Sequence, residues 1–487
     1  MAMRNPIINS VSHSLTVLLV AFLISGCVSV GPDYVPPQAK TPDSWNTHLS
    51  GGMTAQTPDT LAQWWTTLND PVLNDIVHQS ISGSLDVKTA QSRIREARAR
   101  RGMATASWFP SLDAAGAYTK TRMNGGSMGV SEERSQYSAG FDAAWEMDVF
   151  GGTRRSVEAA DADLDAAGED LHDAMVSLLA ETALNYVDAR TFQARLTAAE
   201  NNLAIQEQAV ELNLYRYQAG LIDELAVSQA RYNLGTTQAQ IPALRSGLSE
   251  AMNRLSLLTG QTPGTLDHLI VKRSPIPVTP ASVAVGVPAE TLRQRPDVRK
   301  SERALAAQTA RIGQATADLY PRFTLTGSIG YESLSSGDLL TAGSRVWRFG
   351  PGVSWRVFDA GAIRQNIKIQ SALQEQALIQ YERTVLTALE ETENALTAFI
   401  EEQNRGKALT RAVEAATQAA KLAEDKYSAG LADFSLVLDA QRSLVSLEDQ
   451  LAQSDGAVTA NFIRIYKAMG GGWTNVNYES EITNQEL

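Results

Sequence analysis

The chain has almost no cysteine. Cys27 is alone among 487 residues, which excludes a disulfide framework. Histidine is nearly as scarce: His13, His48, His78, His172 and His268 are scattered, with no metal-ligand spacing. No nucleophile-elbow motif and no Walker loop occurs, so the sequence offers neither catalytic chemistry nor a cofactor site. The ten methionines do not cluster, which leaves no soft path for copper or silver. A net charge of −12 argues against nucleic acid as a partner. No apolar run reaches the ~20 residues of a membrane-spanning helix. Aromatics are only 7% of the chain and alanine is plentiful, a composition suited to close helix packing.

What is present begins with Leu15 to Ile24, an apolar run preceded by a single charge, Arg4. It fits a secretory h-region. The run ends Leu23-Ile24-Ser25-Gly26-Cys27, which resembles a bacterial lipobox. That reading makes residues 1–26 a signal peptide and gives Cys27 an N-terminal diacylglyceryl and N-acyl lipid. A plain buried cysteine behind a plain signal is the alternative. Val28, in place of Asp, implies sorting to the outer membrane in Gram-negative lipoproteins. One lipidated terminus tethers a chain and does not span a bilayer.

The remainder reads as two copies of one unit. Tyr217-Gln-Ala-Gly220-Leu221 matches Tyr427-Ser-Ala-Gly430-Leu431 at a spacing of 210. The heptad row Val227, Leu234, Ile241, Leu248, Leu255 matches Val437, Leu444, Leu451, Val458, Ile465 at the same spacing. Leu258-Thr259-Gly260 matches Ala468-Met469-Gly470, and Trp108-Phe109-Pro110 matches Leu319-Tyr320-Pro321 one residue off that register.

Within each copy the hydrophobic period changes from helical to two. Tyr137, Ala139, Phe141, Ala143, Trp145 and Met147 alternate with small or acidic residues, as do Phe323 to Tyr331 and Trp347 to Val357. Leu112 to Lys120 is a weaker fourth strand. Aromatics near the ends of the apolar face resemble the girdle of an outer-membrane barrel. A soluble sheet with one wet face fits the same alternation. Four strands cannot close a barrel, since about eight is the practical minimum. If they cross a membrane several chains must share one barrel, and a trimer gives twelve strands.

Each hairpin feeds a helix of unusual length, about 153–217 and 363–427, or ~100 Å at 1.5 Å per residue. The Ala-Gly turns mark their far ends. Pro242 predicts a kink in the first returning arm, while its counterpart Ala452 predicts a straighter second arm. The expected division is a signal peptide at 1–26, an extended lipidated tail at 27–70, and a first repeat at 71–260. That repeat comprises a helix to about Ser107, a hairpin at about 110–150 and a helical hairpin at about 153–259. A linker at 261–290 follows, its prolines ruling out helix. The second repeat, 291–472, has its hairpin at about 321–358 and its helical hairpin at about 363–469. A polar tail at 473–487 lies beside the linker.

Taken together the chain resembles the TolC-like outer-membrane efflux channel lipoproteins, the OprM-like or NodT-type factors of resistance-nodulation-division tripartite pumps. The residues that carry this are Cys27-Val-Ser-Val-Gly-Pro-Asp-Tyr34, Trp64-Trp65, Leu292-Arg-Gln-Arg-Pro-Asp-Val298, Ala317-Asp-Leu-Tyr-Pro321, Leu438-Asp-Ala-Gln-Arg442 and Tyr466 to Trp473. The resemblance implies a mainly α homotrimer whose twelve-strand membrane β-barrel continues into a twelve-helix periplasmic α-barrel with a mixed equatorial domain. It implies outer-membrane lipid, a periplasmic adaptor and an inner-membrane pump as partners. It implies a passive efflux duct closed at the periplasmic tip by Asp439 and Arg442, three residues apart. Gln229 holds the Asp439 position in the first copy, so a trimer would ring three acids there. Ser435 and Ala226 stand where many relatives carry bulkier apolar or acidic residues. Ala219-Gly220-Leu221 and Ala429-Gly430-Leu431 become adaptor-docking tips. Spacing alone also allows Asp439 and Arg442 to be an ordinary exposed helix pair, and the glycines to be simple helix stops. A duct for a type I protein-secretion or metal-export system, and a trimeric coiled-coil scaffold without a conduit, are the other readings.

Overall fold

The computed structural model describes residues 29–38, 41–56, 61–123 and 132–473. Cys27 and the polar tail after Trp473 lie outside the described residues. The strands are β1 (Met53–Thr54), β2 (Ser111–Met123), β3 (Glu132–Met147), β4 (Val283–Ala284), β5 (Arg322–Ser333) and β6 (Arg345–Ser354). The α-helices are α1 (Pro71–Gly83), α2 (Leu85–Ala106), α3 (Gly152–Gln218), α4 (Glu224–Leu258), α5 (Asp267–Ile270), α6 (Pro288–Gln294), α7 (Pro296–Ala317), α8 (Ala362–Ser428) and α9 (Phe434–Ala468). The order repeats: each half has a helix, a hairpin, a 67-residue helix and a 35-residue return. The chain forms two compact units.

The first unit holds the sheet, ordered β2-β3-β5-β6 and antiparallel throughout. Its register sorts the residues onto two faces. Leu112, Phe141, Trp145, Leu325, Ile329, Phe349, Trp347 and Val353 share one. Phe141, Ile329, Trp347, Phe349 and Val353 on it are more than half exposed. Tyr118 and Tyr137 pack ring against ring, tilted by 34° with centroids 4.8 Å apart, near one end of this face, and charge resumes beyond them with Lys120 on Glu133 at 2.8 Å. At the other end the Trp145 indole donates to the Trp108 carbonyl at 2.9 Å, and Trp355 donates to the Leu319 carbonyl at 3.0 Å. The opposite face is small and polar. A Cβ on Gly140 would lie 2.7 Å from the Ile329 carbonyl, and one on Gly330 2.6 Å from that of Ala139, so β3 and β5 close up on this face as only glycine permits. Among the described residues nothing pairs with the outer edges of β2 or β6.

The expected strand to Val357 stops at Ser354, because β5 begins at Arg322 and offers residues 355–357 no partner. The segment after residue 28 is fixed in this unit. Val30 N–H donates to the Phe150 carbonyl at 3.1 Å, and the buried Arg155 guanidinium reaches Val30 O (3.2 Å), Asp33 (2.6 Å) and Glu158 (2.8 Å).

The second unit is built around Trp64, Tyr186, Leu255, Phe399, Phe462 and Tyr466, all buried. Trp64 stacks on Tyr466 at 5.7 Å. Trp45 and Trp65 are buried as their size requires. Asp70 caps α1, accepting from the Val72 and Leu73 amides at 2.9 and 3.1 Å. Its other oxygen accepts from Tyr186 at 2.6 Å. Burial and this carboxylate both push the Tyr186 phenol up. The fully buried Arg190 donates to Tyr186 (3.0 Å), Gln193 (2.8 Å) and the Ile270 and Lys272 carbonyls (3.2 and 2.8 Å).

Three expectations need correction here. The single helix from Pro71 to Ser107 is two, broken at Ser84, because Gly83 sits against Thr259 so closely that a Cβ would lie 2.0 Å from its carbonyl. The linker carries α5, one turn fitted between Pro263 and Pro275, and α6 opens on Pro288, a position where proline is favoured. The tail is not wholly extended: Leu61–Leu68 is a 3-10 stretch, and β1 pairs with linker strand β4 in parallel. Helix α4 contains Pro242 and, like α9, is 35 residues long. Arg295, from the Arg-Pro-Asp motif, is buried and caps α9, donating to the Ala468 carbonyl at 2.8 Å while paired with Asp297 and Glu391, each at 2.7 Å. Among the described residues no helix is long and apolar enough to cross a membrane.

Candidate functional site

The two helical turns of the second unit sit together. Each stops its helix by the same chemistry. Gly220 adopts φ +71°, with Leu221 N–H reaching the Arg216 carbonyl at 2.9 Å. Gly430 adopts φ +71°, with Leu431 N–H reaching the Lys426 carbonyl at 2.8 Å. These are Schellman closures, and the positive φ selects glycine. No atom lies within 4 Å of a Cβ built on either, so the conformation and not crowding dictates the residue. Leu221 and Leu431 are 72% and 78% exposed. A crevice between the turns is lined by Arg216, Gln229, Tyr427, Gly430 and Ser435.

Beneath this symmetry the packing is one-sided. Phe434 is buried with Val437 and Leu438 against Ala230 and Ala423. Tyr427 packs on Phe434 at 5.2 Å, lies under Arg216 at 4.5 Å and donates to Asn213 at 3.0 Å. In the first half the equivalent of Phe434 is Glu224, and Tyr217 is 42% exposed.

Asp439 and Arg442 do approach one another, but at 3.8 Å, with side chains 76% and 50% exposed. Arg442 is held chiefly by Asn233 on α4, whose Oδ1 accepts from both Nε (2.8 Å) and Nη2 (2.7 Å). It also lies over the Tyr232 ring at 5.3 Å. Arg442 therefore ties the second return helix to the first. Seven residues on, Asp449 takes Arg195 of α3 in a two-pronged contact at 2.7 and 3.2 Å. Gln453 donates to the same carboxylate at 2.6 Å. Sequence reasoning missed Asn233, Arg195 and Asp449. The heptad step from Arg442 to Asp449 was the available signal. On the same helix burial raises the carboxyls of Glu448 and Asp455 above their ordinary values. Among the described residues no three metal-ligating side chains converge.

An antiparallel sheet with an exposed apolar face in the first unit, and long helices tied near their turns by polar contacts in the second, are features that a channel subunit of the outer membrane needs. The chain belongs to the outer membrane efflux protein family, whose family model matches residues 76–261 and 287–471. Nodulation protein T of Rhizobium leguminosarum bv. trifolii is 33% identical over 456 residues, covering 94% of this chain and 97% of that one. The toluene efflux pump outer membrane protein TtgF of Pseudomonas putida is 29% identical over 479 residues, 96% and 98% of the two chains. The solved outer-membrane channel OprN superposes with a TM-score of 0.85 at 35% identity, covering 91% of this chain and 99% of that one. The protein is an outer-membrane efflux channel component.

Proposed function

We propose that three copies assemble into one passive duct, with twelve strands closing a barrel in the outer membrane and twelve long helices forming a periplasmic tube. The observation that carries this is the four-stranded sheet with two unpaired edges and an apolar face bounded by aromatics. Four strands are too few to close, and unpaired strand edges are not tolerated in lipid. The repeated element order fits an internal duplication of the tube wall. Cys27 carries the diacylglyceryl and N-acyl lipid. An inner-membrane resistance-nodulation-division pump delivers cargo through a periplasmic adaptor, which docks at Ala219-Gly220-Leu221 and Ala429-Gly430-Leu431. The chain itself performs no chemistry on that cargo.

Asp439 and Arg442 form the resting closure, with Arg442 holding α9 inward through Asn233. Three Asp439 carboxylates would ring the narrow end, where cations or Arg442 offset their repulsion. The test is single-channel conductance of the purified full-length protein in planar bilayers. The wild type should stay mostly closed, and an Asp439→Ala/Arg442→Ala variant should pass several-fold more current. No current from either, with the protein inserted, would overturn the duct and leave a scaffold.

A further inference from the structure

The register of the sheet contains a second pairing that the single chain cannot make. Two sequence offsets relate the hairpins: Pro110 to Pro321 carries β2 onto β5, and Trp145 to Trp355 carries β3 onto β6. Applied together they turn the observed Ser111–Ala144 pair into Arg322–Ser354, which is also observed, so the mapping has no slip. The junction between the halves is β3 on β5, where Glu146 faces Thr324 and Met147 faces Phe323. The same offsets convert that junction into a β6–β2 junction between two copies. They place Arg356 opposite Asp113 of the second copy, Trp355 opposite its Ala114 and Val357 opposite its Leu112.

Three features of the single chain fit this seam. Asp113 lies directly opposite Asp142 on the polar face, an arrangement of like charges that disfavours pairing. Among the described residues neither carboxylate has a hydrogen-bond or ion-pair partner. Arg356 is exposed just past the end of β6, where Val357 N–H donates to the Trp355 carbonyl at 3.1 Å; extending β6 through it, as the two offsets require, puts it on the polar face. Strand β3 runs to Met147, whereas β6 ends at Ser354, three residues short of the equivalent Val357. The missing residues are those that the seam would pair. Trp355 and Val357 stay 57% and 78% exposed in the single chain, and every residue of β2 is exposed.

Resting on the trimer proposed above, we infer that copies join edge to edge in this one register, with Arg356 of one copy paired to Asp113 of the next. Trp355 and Val357 then cover Ala114 and Leu112 on the lipid side. A one-residue slip would turn every side chain to the wrong face, and a two-residue slip would move Arg356 to Ala115 or Ser111. The ion pair therefore selects among the registers that the apolar pattern allows.

Directly opposite residues have Cβ atoms ~4.5–5.5 Å apart, near disulfide reach. Full-length D113C/R356C, oxidised in the outer membrane, should give a reducible ladder of dimers and trimers. S111C/R356C, A115C/R356C and each single variant should give far less; the singles control for Cys27. Cross-linking that favours either displaced pair overturns the register. No cross-link from any pair, with trimers present by native mass, overturns the edge pairing while leaving the trimer standing. Absence of any oligomer sinks the trimer itself. Charge reversal supplies a second reading. D113R and R356D should each lower the temperature at which trimers dissociate in detergent, and D113R/R356D should recover most of the loss. D142R/R356D should not, and failure of the first pair to recover would overturn the ion pair.

Discussion

The two helical tips share a backbone and differ in what holds it. Gly220 and Gly430 take the same φ and close the same bonds. Behind Gly430, Phe434 and Tyr427 fill a small core with Arg216 and Asn213. Behind Gly220 the corresponding first residue is Glu224, and no aromatic reaches inward. Turn geometry is a local requirement, and both halves meet it. Side-chain packing depends on the neighbours each tip meets, and these differ. The second return helix is the one whose seating is set by a few specific contacts: Phe434 at its start, Arg442 on Asn233, and Asp449 on Arg195.

The largest break in the comparison should come from Phe434→Ala. Emptying that buried site should destabilise the second tip by about 3 kcal/mol, whereas Glu224→Ala should change the first tip little. Hydrogen exchange at residues 426–440 against 216–230 reads the contrast; equal protection loss at both tips would deny it. Gly220→Ala and Gly430→Ala should act alike, since both demand the left-handed region at about 1–2 kcal/mol for a residue with a Cβ. A marked inequality between them, by the same exchange measurement, would mean that crowding in the assembly also selects glycine at one tip.

Smallest is the effect of Glu448, whose counterpart in the first half is Gln238. Burial raises its carboxyl in the folded chain, so between the ordinary value and the raised one the fold holds a proton that the unfolded chain does not. That contribution to stability is present at low pH and is lost as pH rises through the window. Glu448→Gln should flatten this part of the stability–pH curve and raise the melting temperature slightly at neutral pH. A thermal-unfolding series across pH 4–8 checks the sign; a steeper curve would refute it.

The same division between local and distant causes explains what the sequence disclosed. Helix limits near 153–217 and 363–427 were readable because turn residues and heptads are written locally; the helices occupy 152–218 and 362–428. Asp70-Pro71 announced a helix start, and Asp70 caps it. The break at Ser84 was not readable, because its cause is Gly83 packed on Thr259, 176 positions away. Prolines in the linker were read as breakers, yet Pro288 opens a helix whose first turn needs no proline N–H. At the tip, Asp439 and Arg442 were found as a pair, but Asn233 was invisible as the main partner because it comes from another helix. Arg190 gave no signal at all: a lone arginine in an alanine-rich helix does not announce two backbone carbonyls from a linker eighty residues on.

The clamp on Val30 and Asp33 bears on how deep the proposed barrel would sit. Only two residues, Val28 and Ser29, separate Cys27 from Val30, three steps that span at most ~10 Å of extended chain. Val30 is bonded to Phe150, just past the end of β3, and Gly31 lies so near Gly313 that a Cβ would stand 2.4 Å from its Cα. Acyl chains on Cys27 would thus have almost no slack relative to the strands. On the acylation and barrel proposed above, such an anchor would act as a depth gauge, setting the level of the aromatic belt against the inner leaflet.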